Sequence, residues 1–250
     1  MSMNLDEEMK ALKKIGSDGA SLPSPQKMAM ITAAALDQAA TSTALTLFND
    51  KTYIKLTDLS GMNQLEQDRI LNELILAGII VIMLTLEAPD LRTRHDLKEY
   101  FRLLKDEVPK AHLTQLKELG IEKKHIKLWK KLIEMRYDEY VRERLDARSA
   151  AMEYESQEKP LTAADLDGIH MYLPAFTVAV GCHHHIFRGK TEGYDLAFKY
   201  LMKKLSRFYV TVRATLEGGH LTPVNRARVL ARHFINDVKD WWEIGRAGKS

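Results

Sequence analysis

Cysteine is nearly absent: Cys182 is alone in 250 residues. That excludes an internal disulfide framework and fits a reducing compartment. No apolar run reaches the length of a bilayer. The longest, Leu74 to Leu84 with Thr85 and Leu86 after it, falls short of the roughly 20 residues a spanning helix needs. The opening MSMNLDEEMKALKKIG has acidic residues and no apolar core, so it lacks the pattern of a secretory signal. No internal repeat, low-complexity tract or cofactor signature stands out. These absences lead to the expectation of a cytoplasmic protein with no membrane span, no cofactor and no catalytic site.

The net charge is also small, +3, but its sign is unevenly spread. Residues 1–90 hold 7 Lys/Arg against 12 Asp/Glu, residues 91–150 hold 16 against 11, and residues 187–250 hold 13 against 6. An acidic front and a basic tail end imply a polarised surface.

What the chain does have is helical periodicity, and the fold class it predicts is mainly α, a multi-helix bundle. An amphipathic helix is expected over residues 1–16, then loop to residue 25. A helix rich in Ala, Ser, Thr and Met should run from Pro25 to Phe48. Thr52 to Thr57, TYIKLT, alternates like a short strand and suggests one small strand pair. Met62 to Leu86 returns to helix, with the 74–86 segment as buried core. Asp90 is placed to cap a helix from Leu91 to Glu107, and Pro109 and Gly120 divide the next region. Ile121 to Glu155 reads as one long charged helix, with Ile126, Trp129, Leu132 and Ile133 on one side and lysines on the other. Thr162 should cap a short helix to Met171 that Pro174 interrupts, and AFTVAVGCHHHIF after it suits strand or helix. The expected organisation is an N-terminal helix and loop (1–24), a helical core region (25–155), a linker (156–162) and a C-terminal helical region (163–250).

Three constellations could carry chemistry. Cys182-His183-His184-His185 holds good zinc or copper ligands, but neighbours in sequence fan apart on a helix and cannot easily face one ion. The expectation is a structural cluster without metal. Glu122-x-x-His125 and Glu217-x-x-His220 have the spacing by which helical bundles hold two metal ions, yet Gly218-Gly219 breaks the second copy and lysines crowd the first. Arg228-x4-His233 is similar to the short motif of the helical ribonucleases known as HEPN domains; the resemblance covers six residues and has Val229 where a polar residue is usual. It implies His233 activating a ribose hydroxyl and Arg228 on phosphate. The plain reading is a solvated arginine, with His233 pairing to Asp237.

The last quarter is the most informative. Tyr194, Phe198, Leu201, Leu205, Phe208, Val212 and Leu216 draw one apolar stripe, which Gly218-Gly219 ends. Thr222-Pro223 starts a second helix whose buried face is Ala227, Leu230, Phe234, Val238 and Trp241. The two form an antiparallel hairpin with a polar outer face: Lys199, Lys203 and Arg207 on the first helix, Asn225, Arg228, Arg232 and Lys239 on the second. Lys and Arg suit phosphates, and Asn and Arg also suit base edges. The leading expectation is therefore a non-enzymatic binding protein that contacts DNA or RNA through this hairpin. The runner-up is a helical adaptor or subunit of a larger protein assembly, touching its partner through the methionine-rich helices, the 74–86 segment or Trp242.

Overall fold

The computed structural model describes residues 23–91, 97–156, 160–189 and 194–218. Among them are eight α-helices and no strand. Helix α1 spans Pro25–Phe48: the Ser24 hydroxyl accepts from the Lys27 N–H and Pro25 opens the first turn, where its missing N–H costs nothing. Its inner face is mostly alanine, Ala29, Ala33, Ala40 and Ala44, with Leu36 and Leu47.

The expected strand at Thr52 to Thr57 is instead helix α2, Lys51–Thr57. The signal that wins is Asp50. Its carboxylate accepts from the Thr52 and Tyr53 N–H groups at 2.9 and 3.3 Å, nucleating a helical turn, and the buried side chains Tyr53 and Thr57 stand four residues apart. Among the described residues there is no strand, so the expected strand pair does not form there. A 3-10 turn at Leu59–Gly61 leads to α3, Gln64–Leu86, capped by Asn63.

Helix α4 spans Lys98–Glu118 and carries Pro109 in its interior rather than at a boundary. Leu104, Val108 and His112 are buried at four-residue spacing across the proline, so both halves are held on one core. Gly120, at φ +80°, ends it in the left-handed region as a glycine stop should. The long charged helix is two, α5 (Lys123–Arg142) and α6 (Arg144–Ser156), meeting at Glu143. The break lets α5 lie on α3 and α4 while α6 turns Ala147 and Ala151 into the core and packs on α7.

Helix α7, Ala163–Phe187, starts with a capping box between Thr162 and Asp165, as its sequence predicts, but runs unbroken through Pro174. The ambiguous 175–187 stretch is helix because most of it is buried, and packing overrides the β-branched preference of Thr177, Val178 and Val180. It ends at Arg188 and Gly189, both at positive φ. Helix α8, Leu196–Leu216, is the first arm of the expected hairpin; Asp195 caps it and Gly218, at φ +78°, ends it.

Helix α3 is the centre of the molecule. It packs against α1, α4, α5, α7 and α8, and every residue from Glu73 to Thr85 is buried. By length and composition its 23 residues could cross a membrane, more than the apolar run alone suggested, but here the other helices wall it in. The 74–86 segment is core and is not available as a contact surface. The close approach of α1 and α3 depends on Gly78, where an added Cβ would lie 2.9 Å from the Ala40 Cβ. Expectations for residues 1–16, the second hairpin arm, Arg228-x4-His233 and Trp241-Trp242 fall outside the described residues.

Candidate interaction surface

Of the predicted nucleic-acid contacts, Lys199, Lys203 and Arg207 lie on α8, half-buried at four-residue spacing, and none of the three is without a partner. Asn225, Arg228, Arg232 and Lys239 lie outside the described residues. Two neighbouring cations on α8 serve the fold. Lys204 donates to Asp50, which also accepts from the Tyr200 hydroxyl. Burial works against the Asp50 carboxylate, but these bonds outweigh it and hold its pKa below the usual range. Arg213 donates to Asp90, Glu217 and the Tyr209 hydroxyl, fastening the end of α8.

The cysteine–histidine run fans apart as helix geometry requires. Cys182 is wholly buried, and burial pushes its thiol pKa well up, away from the thiolate a nucleophile needs. The His183 Nε2–H donates to Asp195 at 3.0 Å and the His185 Nε2–H to Glu139 at 2.7 Å, while His184 is exposed. Among the described residues no three His, Cys, Asp or Glu side chains converge as metal ligands would. Glu122 forms an ion pair with Lys124, and His125 is exposed beside it.

A shallow groove of about 520 Å³ lies over α1 and α4, lined by Gln38, Thr41, Ser42, Leu45, Thr46, Asn49 and Gln115. No charged group lines it. One turn away on each helix, and shut off from solvent, the His112 Nδ1–H donates to Asp37 at 3.0 Å. The histidine ring rests on Trp129 of α5, centroids 4.7 Å apart, so this pair joins three helices rather than facing a ligand.

Helix α5 is the unusual element. Its inner side is tightly held: Ile133 and Tyr140 are buried, the Tyr137 hydroxyl donates to Glu87, and Arg136 makes two bonds to the buried Glu73 of α3 at 2.8 and 3.2 Å. Burial alone would weaken the Arg136 cation; Glu73 outweighs it and pushes the pKa further up. Glu139 joins Arg136 to His185 of α7. Opposite this anchored side, Lys127, Leu128, Lys131, Glu134, Met135 and Asp138 are all exposed. Leu128 is 61% exposed and Met135 46%. Among the described residues, six of the eleven exposed large apolar side chains fall between Leu119 and Leu145, so apolar surface is concentrated here.

The first nine residues of α5, 123–131, hold five lysines and no carboxylate. Cations at a helix N-terminus oppose the macrodipole, so this face is not arranged for the stability of the isolated helix. Its signal was present in the sequence: Leu128 and Met135 stand seven apart among charged residues, off the inner stripe of Ile126, Trp129 and Ile133. Comparison with protein-family models, curated proteins and solved structures found no match.

Proposed function

We propose that this chain is a non-enzymatic helical subunit or adaptor of a larger protein assembly, and that the outer face of α5 is its contact surface. The observation that carries this reading is the exposed Leu128–Met135 pair, set among charged side chains on a helix whose other side is locked to the core. Apolar anchors one or two turns apart on a rigid helix are how helices seat against protein partners. The test is capture from native extract, with and without nuclease, using the parent chain and Leu128→Asp. Protein retained by the parent after nuclease and lost with Leu128→Asp supports the reading; no retention after nuclease, or equal retention by both, refutes it.

A second reading, nucleic-acid binding through the C-terminal hairpin, is favoured by the excess of Lys/Arg over Asp/Glu in residues 187–250 and by the basic spacing on α8. Its test is a salt-titrated assay on mixed DNA and RNA. Lys203→Ala, Arg207→Ala, Arg228→Ala and Arg232→Ala should each weaken binding and flatten its dependence on salt, because each phosphate contact releases counterions. Binding that ignores all four excludes this reading.

A further inference from the structure

The outer face of α5 is complementary to itself. About a point midway between residues 132 and 133, Lys127 mirrors Asp138 and Lys131 mirrors Glu134, while Leu128 and Met135 are symmetric about a point one residue earlier. In that register these four charged positions meet the opposite sign, and Leu128 comes within about 3 Å of Met135 along the helix axis, inside the reach of both side chains. Two antiparallel copies of a helix related by a two-fold axis place such positions opposite each other. The face is continuous: Lys127, Lys131, Glu134 and Asp138 step by four, three and four, as do Lys124, Leu128, Lys131 and Met135, so the two rows lie side by side. Among the described residues Lys127, Lys131 and Asp138 have no ion-pair partner, and Glu134 has only a long contact to Lys130 at 3.8 Å.

We infer that the chain forms a two-fold homodimer through antiparallel pairing of α5 with α5 of a second copy. Leu128 of one protomer packs on Met135 of its partner, and Lys127 and Lys131 meet Asp138 and Glu134. This rests on the assignment of the α5 face as a protein contact and names its occupant. Other occupants fit less well. Nucleic acid would be repelled by Glu134 and Asp138 in the second half of the face, which also presents no exposed aromatic for a base to stack on. A membrane surface would meet the same carboxylates and only two large apolar side chains. A single helix face is small beside the roughly 800 Å² per partner of a standard interface, so the dimer should dissociate on dilution.

The experiment is sedimentation equilibrium of the full chain across micromolar concentrations, on the parent and on Lys127→Glu, Asp138→Lys and an equimolar mixture of the two. All substituted positions are exposed, and circular dichroism checks that the fold is kept. The parent should be a concentration-dependent dimer. Each single variant sets like charges opposite each other twice and should dissociate about tenfold more readily. Mixing the two restores opposite charges at both contacts, so association should return to the parent level. A monomer at every concentration, a dimer indifferent to the variants, or no recovery on mixing overturns the inference. A monomer whose Leu128-dependent capture of another protein survives nuclease overturns self-association while leaving the subunit reading intact. Loss of both refutes the two together.

Discussion

The Asp37 carboxylate accepts the His112 Nδ1–H at 3.0 Å where neither side chain reaches solvent, tying α1 to α4 at a point where Trp129 of α5 closes over the ring. Breaking one member strands the other in an apolar site. Asp37→Leu or His112→Leu should each cost about 3 kcal/mol, and the double variant less than the sum of the two, since it leaves no stranded partner. Urea unfolding of the four proteins measures this; strictly additive losses would show that the pair is not a coupled unit.

Glycine at 181 is required by Tyr140. An added Cβ would sit 2.1 Å from the Tyr140 ring, so Gly181→Ala must displace a buried aromatic and should destabilise by roughly 1–3 kcal/mol. At Gly168, also inside α7, a Cβ meets nothing within 4 Å, and Gly168→Ala should stabilise by about 0.5–1 kcal/mol through helix propensity. Thermal melts in opposite directions are expected; parallel shifts would contradict the packing described.

Ile79 and Ile82 on α3 are wholly buried. Ile79→Asp or Ile82→Asp places a carboxylate with no partner in the core, and each should lose more than about 4 kcal/mol or fail to fold. A parent-like melt for either would mean that α3 is not the central helix.

Stability should depend on the charge of His183. Burial, opposed by Asp195, lowers its pKa below the ordinary 6.5. The folded chain keeps a neutral imidazole where the unfolded chain already binds a proton, so the contribution is present above 6.5 and is lost as pH falls through that value toward the folded pKa. Unfolding free energies of the parent and His183→Gln, compared between about pH 7 and about pH 5, should converge as pH falls. Curves that stay parallel would contradict a buried neutral His183.

Long periodic helices were legible because a repeated face leaves a strong signal. The bounds of α1, the cap of α7 at Thr162, the central burial of 74–86 and the glycine stop of α8 all follow from residues visible in the chain. Where the sequence misled, a local rule lost to its surroundings. Pro109 and Pro174 lie inside helices whose two halves share one core, and Asp50 turns an alternating segment into a helical turn. The α5 surface was only half legible, for a different reason. Leu128 and Met135 could be assigned to the outside only once Arg136, Tyr137 and Tyr140 were seen to fix the inside. The break at Glu143, which separates this face from α6, leaves no glycine or proline mark.

A contact surface on the outer face of α5 holds its partner within reach of Leu128 and Met135. A photo-reactive p-benzoylphenylalanine placed at position 128, at position 135 and, as an exposed control elsewhere, at position 65 tests it most directly. Illumination in native extract should give discrete cross-linked products from positions 128 and 135 and little from position 65. No product from the α5 positions, or the same yield from all three, would contradict the account.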